Sequence, residues 1–454
     1  MHKKIKQYKK QYSRGKYICM APFYNLTFSF HGEILPCFYN KQYAWGKYHS
    51  GIDYMQLWKD QHFKNLRKHI RKNHFSYGCL ECYYHILNEN HNFIYAERYE
   101  TESKNLSRKH PISLEFQISN QCNFSCVMCN DEYSSSICKK QGISNNTKSG
   151  YDSAFPESLI PLLKHAKRLV FSGGEPFIIK AYDEIIELSL KYGENQKFYF
   201  STNGSAINEH QFDFIQNHQV GISMSFDSID EQTFNLLTGS NVFSKVKRNL
   251  LRLKEIYEQK AETLHVKVSP MQQNAHTLAD TISFLNDNNL HITFNHVKYP
   301  AQCSLSELHS NELKTIVSKL KHINLKDTTA VQKENKVHLD NLIFYLEKTA
   351  KTAKARETEQ SNGFDAYEVR FISQINHYLK TMNLTEFKNA DYILNLMFGH
   401  LKNDVVRDEC IRYFSELPAH WLISELRFRE TNPDFVKKRV NQVANAFRDK
   451  HKNM

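Results

Sequence analysis

No stretch of the 454-residue chain approaches the ~18–20 consecutive apolar residues that a bilayer-spanning helix needs, so a membrane span is not expected. The lysine-rich opening MHKKIKQYKKQYSRGK is not followed by an apolar segment before Cys19. A secretory signal is therefore not expected either, and the chain reads as cytoplasmic. Internal repeats and long low-complexity segments are missing. Histidine is frequent, with 23 copies, yet none forms a metal-spaced pair convincing enough to name. RNA-binding motifs and platforms of interleaved aromatics are also missing, so nucleic acid is not expected as a partner.

What is present suits a folded protein of two or three domains. Apolar residues make up 41% and charged residues 24%, with 30 phenylalanines and 25 tyrosines to fill cores. The formal charge of +12 favours anionic partners such as nucleic acid, an acidic peptide or a phosphorylated substrate. A merely solvated basic surface accounts for it more simply, since the sign of a charge says little about function. In a reducing cytoplasm, the ten cysteines point to metal or redox chemistry rather than disulfides.

Four zones follow one another. Residues 1–18 are a basic, mobile lead, and residues 19–110 are rich in aromatics and turns. Residues 111–300 alternate short β-branched or aromatic runs with helical patterns, and residues 301–454 read as helices. Six strand candidates stand in the third zone: 112–119, 168–174, 197–204, 220–228, 264–270 and 291–298. Strands joined by helical crossovers build a parallel sheet or an incomplete barrel, whose reactive groups gather at the C-terminal strand ends. The fold expected is α/β, a partial six-fold βα barrel with a small N-terminal module and a helical C-terminal region.

The chemistry-bearing motifs fall at those strand ends. After the first strand, Cys122, Cys126 and Cys129 are spaced C-x3-C-x2-C. Soft thiolates so close together select zinc, copper(I) or an iron–sulfur cluster. A structural zinc would want a fourth ligand, for which Cys138 is a candidate, whereas a cubane held by three cysteines keeps one iron open. The second strand ends in Ser172-Gly173-Gly174-Glu175-Pro176, where paired glycines make either a tight turn or a close approach to a ligand. The third ends in Thr202-Asn203-Gly204, and the fourth carries Ser225-Phe226-Asp227.

This ordered set, spanning about residues 112–300, resembles the radical S-adenosylmethionine (radical SAM) superfamily. The resemblance implies that Cys122, Cys126 and Cys129 hold a catalytic 4Fe–4S cluster. Its open iron would chelate S-adenosylmethionine, and one electron would release a 5′-deoxyadenosyl radical able to abstract hydrogen from carbon. It further implies that Ser172, Gly173, Gly174 and Glu175 border the methionyl amino group. Thr202, Asn203, Ser225 and Asp227 would line the rest of the pocket, with Ser225 at the ribose hydroxyls and Asn274 as a further polar contact. Met128 departs from the aromatic residue that many members carry before the third cysteine.

The N-terminal zone holds Cys19 and Cys37, with Gly32 at a hairpin-like turn between them, and then Cys79-x-x-Cys82. Four cysteines make a closed site for zinc or for a fully ligated cluster. The cysteine–glycine–cysteine spacing, Gly46, Trp58, Leu66-Arg67 and the CxxC resemble the SPASM/twitch module, although here the module precedes the barrel. One auxiliary 4Fe–4S cluster on Cys19, Cys37, Cys79 and Cys82 is the implication, serving electron transfer. Relatives of this kind modify peptides or protein side chains, and others dehydrogenate small sugars. The substrate expected is thus a peptide or protein, with flavodoxin or ferredoxin as reductant. The alternatives are a small molecule or RNA as substrate, or a non-catalytic zinc protein whose helical tail docks a partner. Cys138, Cys303 and Cys410 read as plain structural residues, and His296, on the last strand, as the one histidine placed to reach the site.

Overall fold

The computed structural model describes residues 2–11, 17–40, 45–75, 77–87, 94–99, 109–143, 149–359, 365–382, 389–402, 405–417, 422 and 433–452. Eight strands form one sheet: β1 (Asn25–Phe28), β2 (Ile34–Leu35), β3 (Ser113–Phe116), β4 (Arg168–Phe171), β5 (Lys197–Thr202), β6 (Gln219–Ser225), β7 (Leu264–Val268) and β8 (His291–Phe294). Their order is β2-β1-β3-β4-β5-β6-β7-β8. All six expected strands are there, each pairing in parallel with the next. The 19–110 zone adds a seventh parallel strand, β1 beside β3, and the antiparallel β2. Between β1 and β2 the chain turns through Gly32, whose φ of 84° favours glycine.

Side chains alternate across a strand, so the sheet sorts them onto two faces. One face is apolar and covered by helices. Its centre is a ladder of in-register phenylalanines on four adjacent strands: Phe28, Phe116, Phe171 and Phe200, with ring centroids 5.2, 5.3 and 5.0 Å apart. Each ring buries some 150–250 Å² and each stacked pair adds ~0.5–1.5 kcal/mol, so this ladder anchors the core. The other face is polar and partly open, carrying Glu115, Tyr199, Ser201, Ser223, Ser225, His265, Lys267, His291 and Thr293. A buried polar residue must find partners, and Glu115 finds four: Tyr99, Thr27 and Asn25 donate to one carboxylate oxygen at 2.9, 2.7 and 3.4 Å, and Arg168 to the other at 3.4 Å.

The lead is more ordered than its charge suggests. His2–Gln11 is a helix in which Ile5 and Tyr8, three apart on one face, are buried. The C-terminal zone is helical as expected, with helices Ser310–Lys321, Ala330–Glu359, Asp365–Met382, Ala390–Phe398, Val405–Glu416 and Pro433–Lys452. A buried ionic knot joins three of its elements: Arg412 pairs with Glu307 and with Glu416 (3.4 Å), and Arg356 with Glu307 (3.5 Å) and Glu416 (3.0 Å). Removing one member strands an opposite charge in the interior. Arg412→Met is therefore expected to destabilise the chain by about 3–5 kcal/mol, a loss readable as an earlier midpoint in urea denaturation. No helix among the described residues is long and apolar enough to cross a membrane.

Candidate active site

The Cys122–Cys129 loop leaves the end of β3 and is fastened on three sides. Ser125 and Val127 donate backbone N–H to Thr238 and Leu237 carbonyls at 3.0 and 2.9 Å. The Cys122 N–H reaches Ser135 Oγ at 3.1 Å, and its carbonyl accepts from Ser136 Oγ at 2.7 Å. Cys303, fully buried, lies beneath the loop with its thiol 3.5 Å from the Val127 carbonyl. Cys138 is turned away from the loop thiols, its own thiol donating to the Asp131 carbonyl at 3.0 Å. Burial, first of all, raises the Cys122 and Cys126 thiols above their ordinary range and pushes Cys129 up to about 11. Thiolates there need a cation to hold them, which is the role of a metal centre.

Thiol spacing discriminates between metals. Around one zinc with Zn–S bonds near 2.3 Å, neighbouring sulfurs stand only about 3.8 Å apart; the corners of a cubane are wider. Among the described residues, no three cysteines bring their sulfurs within 4.8 Å of one another, in this loop or in the N-terminal zone.

The other strand ends close around the loop. Gly173, at φ 116°, and Gly174 back directly onto it. A Cβ on Gly174 would stand 2.0 Å from the Gln121 carbonyl, and Gly174 and Glu175 donate their N–H groups to Ser119 and Gln121 at 3.0 and 2.8 Å. Ser172 Oγ donates to the Phe116 carbonyl at 3.3 Å. The glycine pair is thus where β4 meets the cysteine loop, and Gly174→Ala is expected to displace Cys122. A misplacement near 1 Å costs on the order of 100-fold in rate. Iron content should fall while the fold, followed by circular dichroism, persists.

Glu175 is entirely buried, and burial pushes its carboxyl up to about 7. It accepts from Thr202 Oγ1 at 2.6 Å and from the Asn203 N–H at 2.7 Å, joining the β4 and β5 ends. Asn203 in turn donates to Asn123 Oδ1 at 3.1 Å, which ties the β5 turn to the cysteine loop. Asp227, pushed up to about 6 by burial, accepts from the Ser269 N–H at 2.6 Å. Asn274 is fully buried and spends its amide on the Asp227 and Ser269 carbonyls, at 2.8 and 3.0 Å, while its Oδ1 accepts from Met271 N–H at 2.7 Å. Asp227 and Asn274 thereby lock the β6 and β7 ends. Ser225 is half-buried beside them, and its hydroxyl makes no hydrogen bond among the described residues.

Cys19, Cys37, Cys79 and Cys82 line one small cavity together with Tyr39 and Tyr95. After burial, the strongest influences raising the Cys37 thiol are Cys19, Cys79 and Cys82. Asn40 braces the cavity: its amide donates to Cys79 Sγ at 3.4 Å, and Trp45 Nε1 donates to its Oδ1 at 3.1 Å. Gly78, at φ 80°, leaves room for Asn40, which a Cβ would meet at 2.1 Å.

Sequence reasoning missed two features. The helix Pro433–Lys452 returns to the cysteine loop, where Lys438 pairs with Asp131 and Arg439 with Glu132 at 3.6 Å. Lys267 stands in register with Ser225 on the open face, its ammonium forms no hydrogen bond or ion pair among the described residues, and its basicity is lowered by burial and by nearby Arg98. His296 packs against Tyr345, with ring centroids 4.0 Å apart.

Part of the chain is similar to known proteins. Residues 116–284 match the family model described as the Radical SAM superfamily. A GTP 3′,8-cyclase of Psychromonas ingrahamii is 32% identical over 133 residues, 29% of this chain and 38% of that protein. One from Vibrio parahaemolyticus is 27% identical over 188 residues, 40% of this chain and 52% of its own length. The chain thus spans about two fifths to a half of these curated relatives. Among solved structures, anSMEcpe with bound AdoMet is 19% identical, with TM-score 0.35 over 46% of this chain and 58% of that one. Streptococcus suis SuiB bound to precursor peptide SuiA is 13% identical, with TM-score 0.34 over 64% and 60%. Residues 116–284, with the C-x3-C-x2-C loop at their head, thus form a stretch that matches the radical SAM superfamily.

Proposed function

We propose that this enzyme takes a hydrogen atom from a peptide or protein substrate held over the polar face of its sheet. The observation that carries the reading is the convergence of the three-thiol loop with the ends of β4, β5, β6 and β7. When bound there, a 4Fe–4S cluster and S-adenosylmethionine supply a 5′-deoxyadenosyl radical. Cys122, Cys126 and Cys129 would hold three of the irons. The Ser172–Glu175 edge and the Thr202–Asn203 turn would border the methionyl end, and the unengaged hydroxyl of Ser225 would meet the ribose. Asp227 and Asn274 keep that pocket's walls in place through the strand ends they lock.

The cavity of Cys19, Cys37, Cys79 and Cys82 would hold an auxiliary, fully ligated 4Fe–4S cluster, in a twitch-like arrangement. It would pass electrons between the substrate radical and a reductant such as flavodoxin or ferredoxin. Lys267 would receive a substrate carboxylate at the β7 end. Lys267→Met is then expected to raise the substrate KM by about tenfold, the worth of one charge-assisted hydrogen bond.

A second reading, a small phosphorylated substrate, is favoured by the likeness to GTP 3′,8-cyclases and by the same cation. The two separate in one assay: release of 5′-deoxyadenosine by the loaded enzyme, with a peptide fraction of cell extract or with GTP added. Stimulation that protease treatment of the fraction abolishes supports the peptide. Stimulation by GTP alone overturns it in favour of the second reading.

A further inference from the structure

On the far side of the sheet from the N-terminal cysteines, β8 is the edge strand, and the long helix Ala330–Glu359 lies against it. The helix closes that edge with Asn335, which accepts the Ile292 N–H at 2.8 Å and donates to the Leu290 carbonyl at 2.9 Å. On either side of Asn335 stand Glu334 and His338, at i and i+4 and so on one helical face. They meet His291 of β8. The three offer one nitrogen or oxygen each, all within 4.8 Å of one another. His291 Nε2 lies 3.0 Å from Glu334 Oε2, and the His291 and His338 rings are 5.4 Å apart. Behind His291, in register on β7, His265 brings its Nδ1 to 2.6 Å from His291 Nδ1.

We propose that His291, Glu334 and His338 form a zinc site that clasps the C-terminal helical region to the last strand of the sheet. Two imidazoles and a carboxylate are a ligand set that zinc accepts, with water filling the fourth position. The contact between the two Nδ1 atoms supplies the orientation that such sites require: His291 donates its Nδ1 proton to His265, which leaves the His291 Nε2 lone pair directed at the metal. Without a metal, the same pair of rings leaves His291 Nε2 to donate to Glu334. Three ligands contributed by a strand and by a helix more than 40 residues later make binding dependent on the folded arrangement. No thiol takes part, which separates this centre chemically from both cysteine sites.

The test uses the full chain with its cysteine sites already loaded with iron and sulfide. Cobalt(II) is added as a spectroscopic stand-in, and zinc is measured by equilibrium dialysis. One equivalent of cobalt with tetrahedral d–d absorption and no thiolate-to-cobalt charge transfer is expected, displaced by zinc. Zinc affinity should fall at least tenfold in His338→Ala and in the near-isosteric Glu334→Gln, with iron content unchanged. Zinc should also raise the melting temperature of the wild type but not of the variants. Binding that survives both substitutions, cobalt spectra showing thiolate ligation, or no bound equivalent would each overturn the site. None of these results bears on S-adenosylmethionine cleavage, so the clasp and the radical chemistry fail or stand separately.

Discussion

Replacing Cys126 by alanine is expected to abolish 5′-deoxyadenosine formation while the four-cysteine cavity keeps its iron. Cys126 is the middle ligand of the loop, and its thiol is raised by burial, then by Cys129, Asp227 and Cys122, in that order. Two remaining thiols cannot present three corners to a cubane. The loop itself should persist, because its fastenings to Thr238, Leu237 and Ser135 are made by backbone and hydroxyl groups rather than by the Cys126 side chain. The variant therefore separates chemistry from folding. Cleavage falling below detection with about half the iron retained is the expected result, and cleavage at wild-type rate would remove this loop from the active site.

The second large effect lies in the N-terminal cavity. A chain carrying both Cys79→Ala and Cys82→Ala should lose the other half of the iron, since only Cys19 and Cys37 would remain on its wall. Asn40 would lose the sulfur it donates to, yet keep its bonds from Trp45 and to the Tyr77 carbonyl, so the surrounding fold has other supports. Uncoupled cleavage of S-adenosylmethionine should continue, whereas turnover of substrate should stop for want of an electron path. Iron and sulfide analysis beside the cleavage assay checks both statements. Iron content equal to wild type would refute the auxiliary cluster.

The parts of this molecule legible in its sequence are those written in short range. Strands such as RLVF and KFYF carry their period of two locally, and the cysteine loop and GGEP stand within a few residues of the strands that position them. The strand NLTF was passed over because its parallel partner β3 lies 88 residues on, and nothing near it in the chain announces the pairing. The same distance hid the Glu115 network, in which a strand-interior carboxylate looks misplaced until Thr27, Tyr99 and Arg168 surround it. Lys438 and Asp131 are 307 residues apart. The His291, Glu334 and His338 group left one local sign, a glutamate and a histidine four apart in a helical pattern, and its third member comes from a strand. Asn274 shows another limit. Its polarity and position at a strand end were visible, but only the fold reveals that its amide is consumed by the Asp227 and Ser269 carbonyls.

The central claim is that two separate iron–sulfur centres serve one radical reaction, and anaerobic reconstitution tests it most directly. Iron and sulfide are counted per chain, and 5′-deoxyadenosine is assayed with dithionite as reductant. About eight irons and eight sulfides, the content of two cubanes, with 5′-deoxyadenosine released, is the predicted result. Zinc in place of iron, a colourless protein and no cleavage of S-adenosylmethionine would contradict it.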